Sequence, residues 1–385
     1  MAETPPAIRL KVGGARGHLH FYRKMVRPPD VPIDPGTLVD VLDRDGSFVG
    51  RAFYNPRSNI SLRLLTTDAT QPVGDDFFRA RLRDAVSLRH DLLKLPGVTD
   101  AYRVCHSEGD GLSGLVVDRF GPVLSIEIFS RGFFRILDRV RAWLLELYPG
   151  SKFCVRADAT AAELEGFRLP ATETPESVVV REHGVEYRVD FEHGHKTGFF
   201  CDQRDNRLDV ARMAAGRDML DLCTYSGGFA LSAAKAGARR VVGVDLDEKA
   251  LDVARRNAKL NKMKVDFLHA DLFNYLRQSR EKFGLVVLDP PKLARDVEDL
   301  PKARRTYHDM NGMAIKAVEP GGLLVTCSCS GRISEEEFLG IVRAAAQTVG
   351  RTLQIFRVAG AGPDHPVSSL YPEGRYLKAA FARVM

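Results

Sequence analysis

Asp218-Met-Leu-Asp-Leu-Cys-Thr-Tyr-Ser-Gly-Gly-Phe229 is the stretch that decides the fold of this chain. An apolar run of strand length ends at the acid Asp221, then passes through a short polar loop into a helical segment from Ala230. The adjacent Gly227 and Gly228 lack a Cβ, so the backbone there can approach a ligand closely. Four more apolar runs follow, RRVVGVDL, KVDFLHA, GLVVLDPP and GGLLVTCSCS, each separated from the last by a helical segment. Strands alternating with helices predict a parallel, doubly wound α/β sheet. A Rossmann-like domain is therefore expected from about Val178, where VVVREHGVEYRVDF first reads as a β-hairpin.

Ligands of such sheets bind beyond the carboxyl ends of the strands, so the strand-terminal residues carry the information. Here four successive strands end on acids: Asp221, Asp245, Asp271 and Asp289. Asp245 follows Asp221 at the spacing of a ribose-binding acid, and Asp271 is placed to meet an adenine amino group. A helix-capping role would account for one of the four, not for the set. The G-x-G-x-x-G fingerprint that holds a pyrophosphate is missing, which argues against a dinucleotide. S-adenosylmethionine has no phosphate but carries a sulfonium and an ammonium, both suited to acidic strand ends. It is the expected cofactor, held by Asp221, Thr224, Tyr225, Ser226, Gly227, Asp245, Asp271 and Asp289.

Two motifs suggest the chemistry. Asp289-Pro-Pro-Lys292 closes the fourth strand and Thr326-Cys327-Ser328-Cys329-Ser330 the fifth, and these strands are neighbours in this fold class. An acid facing a cysteine suits methylation of a pyrimidine at C5, a carbon too weakly nucleophilic to react unaided. A thiolate adding to C6 activates it, an acid near N3 stabilises the adduct, and a base removes the C5 proton. Strand alternation puts Cys327 and Cys329 on one face, and Cys329, nearer the carboxyl end, is the expected nucleophile. Catalytic roles thus fall to Cys329, Asp289 and Lys292. Acid-Pro-Pro motifs also serve enzymes that methylate amino groups without a thiol, so that chemistry stays open, as does a non-catalytic RNA-binding assembly factor of the same fold. The target base must leave its stack, which favours single-stranded or locally opened RNA. Cys-Ser-Cys has no second Cys/His pair nearby to complete a metal site. Cys105, Cys154, Cys201 and Cys223 read as buried structural residues.

The N-terminal half is organised differently. VDVLDRDGSFVGRAFYN reads as two strands around an Asp-Gly hairpin, and ISLRLL as a further strand, together a small β-barrel over residues 1–70. TTDATQPVGDD is a polar linker. FFRARLRDAVSLRHDLLKL, from Phe77 to about Leu95, and FRILDRVRAWLLELY have helical apolar spacing and flank strands, giving a middle α/β domain over 75–180. Residues 181–385 form the third domain.

The 385 residues include 44% hydrophobic and 28% charged side chains, an ordinary globular balance. No apolar run approaches the roughly 18 residues of a membrane helix, and MAETPPAIRLKVGG has no secretion-signal pattern. Six cysteines without framework spacing suit a reducing compartment, so a cytoplasmic, membrane-free location is expected. A net charge of +6 permits a polyanionic partner. Up to Leu65 there are ten Lys/Arg, Arg16 among them, against six Asp/Glu.

The ordered motifs resemble the RlmI-type family of bacterial large-subunit ribosomal RNA cytosine-C5 methyltransferases almost end to end. GRAFYNPRSNISLRLL resembles its PUA-type RNA-binding barrel, YRVCHSEGDGLSGLVVDRFG its middle domain, and HKTGFFCDQRDNR the start of its catalytic domain. DLCTYSGGFALSAA, DPPK, TCSCSG and DHPVSSLYPEGRYLK follow in the family's order. The resemblance implies cofactor contacts near Gln203, Arg204, Asp221, Asp245, Asp271 and Asp289, and Cys329 as nucleophile. It also implies ribosomal RNA as partner, met through backbone contacts from Arg9, Arg23, Lys24, Arg51 and Arg57. The broader group of RNA cytosine-C5 enzymes ends its fourth-strand motif in a second cysteine thought to help release the product. Lys292 stands there in this chain, which leaves the releasing base unassigned; Cys327 is a candidate assistant. Oligomeric state, a homodimer included, and the nucleotide modified are left open by the sequence.

Overall fold

The computed structural model describes residues 5–14, 17–170, 175–191, 199–294 and 296–385. Arg16 and the His195–Gly198 part of the HKTGFF stretch lie outside them. The chain forms two compact units, Met1–Val178 with Pro363–Gly374, and Val179–Gly362 with Arg375–Met385.

The first unit opens with β1 (Ala7–Arg9), β2 (His20–Tyr22), β3 (Thr37–Leu42), β4 (Phe48–Tyr54) and β5 (Ile60–Thr66) in one sheet of order β1-β3-β4-β5-β2. The β3–β4 hairpin turns at Gly46, whose φ of +91° favours glycine, as the Asp45-Gly46 signal predicts. Val39, Val41, Ala52, Leu62 and Leu64 fill the barrel side of this sheet. ISLRLL does not alternate cleanly between buried and exposed: Leu64 faces the barrel core while its neighbour Leu65 packs into the core of the next segment.

That segment comprises α1 (Asp75–Ser87), β6 (Ala101–His106), β7 (Leu115–Phe120), β8 (Val123–Ile128), α2 (Arg131–Arg135), α3 (Leu137–Leu147), β9 (Lys152–Arg156) and α4 (Ala159–Glu165), with sheet order β6-β7-β8-β9. The helix expected to continue to Leu95 instead widens into a π-turn at Leu88–Leu92. Within that turn the guanidinium of Arg89 is fully buried and donates to Asp110 at 2.6 and 2.8 Å and to the Asp364 carbonyl at 2.6 Å. The second expected helix is likewise two, broken at Ile136. Asp364 belongs to Pro363–Gly374, a stretch within the 181–385 segment that packs in the first unit; its carboxylate also accepts from the Arg103 amide at 2.9 Å.

The second unit begins with the hairpin β10 (Ser177–Glu182) and β11 (Val185–Asp190), then α5 (Arg204–Ala214). Its large sheet takes β12 (Asp218–Leu222), β13 (Arg240–Asp245), β14 (Asp266–His269), β15 (Phe283–Leu288), β16 (Val318–Ser328), β17 (Leu353–Ala359) and β18 (Lys378–Val384) in the order β14-β13-β12-β15-β16-β18-β17. The five strands from β14 to β16 run parallel, and β18 is antiparallel to both its neighbours. Between strands lie α6 (Gly228–Lys235), α7 (Glu248–Leu260), α8 (Leu272–Gln278), α9 (Leu300–Ala317) and α10 (Glu335–Thr348). This is the doubly wound α/β sheet expected from the strand-helix alternation, and its order reverses between β12 and β15. Among the described residues no helix is long and apolar enough to cross a membrane.

Candidate active site

The loop after β12 is built around Asp221, which is fully buried. Its Oδ2 accepts from Thr224 Oγ1 at 2.6 Å and from the Ala230 amide at 3.0 Å, bracketing the loop from both ends. Tyr225 and Gly227 turn through positive φ, 51° and 85°. Asp245 Oδ2 accepts from the Tyr225 amide at 2.8 Å, so the acid of β13 fixes the middle of the same loop. Asp289, at the end of β15, accepts from Gln203 Nε2 at 3.0 Å. Asp271 accepts from the Asn274 amide at 3.0 Å as the N-cap of α8. Of the four acids, Asp271 is the one that caps the helix following its strand.

The four carboxylates converge. The Cys223 thiol is held well above its ordinary range, first by burial and then by Asp245, Asp289, Asp221 and Asp271 together. Burial, with the neighbouring acids, pushes the carboxyls of Asp221 and Asp289 up to about 7. Asp221 Oδ1 is buried with no hydrogen-bond partner among the described residues. A cluster of acids with an orphaned carboxylate oxygen is chemically suited to a cationic ligand.

The neighbouring strand end carries the thiols. Cys327 is fully buried, and its thiol is pushed well up by burial and by Asp289, opposed by a hydrogen bond with Gln203. β16 ends at Ser328, so Cys329 lies one residue past the last ladder pair, Ser328 with Lys378, and is half-buried. The hydroxyls beneath it form a buried network. Ser328 Oγ donates to Tyr307 Oη at 3.0 Å, and Tyr307 Oη is 3.0 Å from Ser330 Oγ. Ser330 Oγ also accepts from the amides of Leu293 and Ala294, both at 3.2 Å. One serine therefore ties the segment after Asp289-Pro-Pro-Lys292 to the cysteine strand end. Lys292 itself is exposed.

Among the basic residues expected to meet RNA, Arg9, Arg23, Lys24 and Arg57 are exposed on the first unit. The Arg51 guanidinium is committed internally, to Asp40 at 2.8 Å and to the carbonyls of Ala69 and Gln71.

Residues 154–354 match the family model described as S-adenosylmethionine-dependent methyltransferase, and residues 14–67 that of a PUA-like domain. The protein named ribosomal RNA large subunit methyltransferase I in Salmonella arizonae is 39% identical over 381 residues, 96% of this chain and 94% of the relative. Its namesake in Aeromonas hydrophila is 40% identical over 375 residues, covering 94% of each. The chain belongs to the ribosomal RNA large subunit methyltransferase I family. In fold, the methyltransferase is similar to the crystal structure of SMU.776 complexed with SAH, with a TM-score of 0.82, 19% identity, and coverage of 99% and 100% of the two chains.

The methyltransferase uses S-adenosylmethionine, and the acidic strand ends fit it. Its sulfonium and ammonium carry the positive charge to which such a cluster is chemically suited. Sequence reasoning missed three residues of this methyltransferase's site. Tyr307 organises the cysteine strand end from α9. Tyr376 Oη donates to Asp202 at 2.5 Å, beside Gln203. Lys378, 2% exposed, donates from Nζ to the Ser330 carbonyl at 2.7 Å and the Tyr376 carbonyl at 2.9 Å. Its one signal in the sequence is a lysine directly before an apolar run, Lys378-Ala-Ala-Phe-Ala.

Proposed function

We propose that this methyltransferase forms 5-methylcytidine in large-subunit ribosomal RNA through a covalent bond between Cys329 and C6 of the target cytosine. The observation that carries this reading is the Ser330 hydroxyl, which joins the thiol-bearing strand end to the segment behind Asp289-Pro-Pro-Lys292. A thiol held beside an acid is redundant for amino methylation and required for attack at C6.

Cys329 Sγ, ionised, adds to C6, and the C5=C6 electron pair moves into the ring. Asp289, whose carboxyl titrates at about 7, delivers its proton to N3 as that charge develops. When bound, the cofactor supplies an electrophilic methyl group to C5 and leaves as a neutral thioether. A base then takes the C5 proton; its electron pair re-forms C5=C6 and expels Cys329 as thiolate, while N3 returns its proton to Asp289. Lys292, exposed beside the site, is the residue in the position of the usual second cysteine.

The proposed cofactor contacts are Gln203, Arg204, Asp221, Thr224, Tyr225, Ser226, Gly227, Asp245, Asp271 and Asp289. The division of labour proposed is a PUA-like barrel (1–70) and a middle domain (75–180) that engage RNA, and a methyltransferase domain (181–385), in a cytoplasmic enzyme. Arg9, Arg23, Lys24 and Arg57 are exposed and suited to phosphate contacts, which carry affinity more than sequence information. Arg51, with its internal partners, is the weakest of the five.

The test is methyl transfer to unmodified large-subunit ribosomal RNA by wild type and Cys329→Ala, with products identified by nucleoside mass spectrometry. Wild type is expected to yield 5-methylcytidine and the variant none. A different methylated base from both proteins would assign the chemistry to Asp289-Pro-Pro alone and overturn the covalent reading.

A further inference from the structure

Lys378 lies in an unusual electrostatic position. It opens β18, whose next four residues are buried and apolar, and pairs with Ser328 across the antiparallel ladder. A buried ammonium is costly unless an opposite charge compensates it. Among the described residues no carboxylate lies within ion-pair distance of Nζ. Two of its three N–H groups have carbonyl acceptors, one of them the carbonyl of Ser330, the residue directly after Cys329.

The charged and titratable groups that act on it are Cys329, which follows β16, and Glu335 and Glu337 on α10. Tyr307 on α9 reaches the side chain of Ser330, whose carbonyl Lys378 bonds. Glu337 is already paired with Arg304. Burial lowers the Lys378 ammonium to about 8, and the largest opposing influence is Cys329, ahead of both glutamates. Tyr307, pushed up to about 12 by burial first, is a neutral hydroxyl and offers no charge.

We propose that Lys378 is the positioning residue that keeps Cys329 ionised: its ammonium stays beside the sulfur and compensates the thiolate, while the Sγ proton passes to solvent at this half-buried strand end. The proposal rests on Cys329 being the nucleophile. In the paired form the lysine's buried charge is neutralised by the thiolate. When the sulfur adds to C6 it loses its negative charge, and the ammonium then becomes the buried group without compensation. Expulsion of the thiolate restores the pair, so the same contact that readies the attack also favours product release.

The test is the pH dependence of iodoacetamide labelling of Cys329 in the full-length protein, read on its own peptide by mass spectrometry. Wild type is expected to reach half-maximal labelling rate well below the ordinary thiol midpoint of about 8.5. Lys378→Met should raise that midpoint and cut labelling at pH 7 by at least ~10-fold, while Lys378→Arg retains most of the wild-type rate. Adenosylmethionine binding by calorimetry verifies that each variant is folded. A wild-type midpoint at or above the ordinary value, or an unchanged midpoint in folded Lys378→Met, overturns the proposal. The labelling reads the thiol whatever the product is, whereas Cys329→Ala activity tests the nucleophile reading, so the two can fail separately.

Discussion

Gln203 Nε2 donates to Asp289 Oδ2 at 3.0 Å, and the same buried amide bonds the Cys327 thiol. One side chain on the approach to α5 thus orients the acid of the fourth strand and occupies the inner thiol of the fifth. Its Oε1 is itself held, accepting from Asn206 Nδ2 at 2.6 Å. The bond favours the ionised form of Asp289, opposing burial and the charges of Asp202 and Asp221. Gln203→Leu should therefore leave Asp289 protonated to higher pH. The alkaline limb of the kcat/KM profile is expected to move upward, with kcat down by about 10-fold as the carboxyl loses its orientation. An unshifted limb would remove Asp289 as the titrating acid.

Cofactor affinity should depend on pH through the same cluster. Asp221 is raised to about 7, so near neutrality it is partly protonated, and a bound sulfonium favours its ionised form. The dissociation constant for S-adenosylmethionine should fall as pH rises from 6 to 8, with protons released on binding. S-adenosylhomocysteine, with no positive sulfur, should show a shallower dependence. Calorimetry in two buffers of different ionisation enthalpy measures both.

Without cofactor, the stability trend has the opposite sense. A carboxyl raised in the folded state contributes stability below its unfolded value, near 4, and loses it as pH climbs through about 7. The cofactor-free protein should melt at lower temperature at pH 8 than at pH 5.5 if these two groups dominate. Asp221→Asn should flatten that slope while weakening cofactor binding by on the order of 100-fold.

Ser330→Ala removes the acceptor for the Leu293 and Ala294 amides and one of the two serine partners of Tyr307. Leaving buried donors unsatisfied costs about 1–3 kcal/mol, measurable by urea unfolding. Methyl transfer should fall further than the stability loss accounts for, because the acid and thiol segments are no longer tied together.

Replacing Arg9, Arg23, Lys24 and Arg57 with Ala should weaken RNA binding and flatten its dependence on salt, with adenosylmethionine binding unchanged. Equal salt slopes for the variant and wild type would exclude this surface from the RNA contact.

The parallel sheet and its acidic strand ends were legible because they depend on local pattern: apolar runs of strand length ending in Asp. The capping explanation, expected to cover one acid, applies to Asp271. Other features depended on partners distant in sequence. The helix expected through Leu95 yields to a π-turn around Arg89, whose partners Asp110 and Asp364 lie far along the chain. Lys378 was unreadable as part of the site because β18 inserts between β16 and β17, a strand order that periodicity does not encode. A lysine at a strand start otherwise reads as a solvated end.

Pro363–Gly374 belongs to the first unit although both flanking stretches belong to the second. The first unit is therefore discontinuous, its last piece separated from the rest by the greater part of the second. During synthesis, Arg89 and the Arg103 amide are made long before Asp364, their partner, leaves the ribosome. The N-terminal unit cannot reach its final packing on the nascent chain until Pro363–Gly374 has emerged. A protein truncated after Val178 would lack that piece for good, so the first unit cannot be had by cutting the chain at one point.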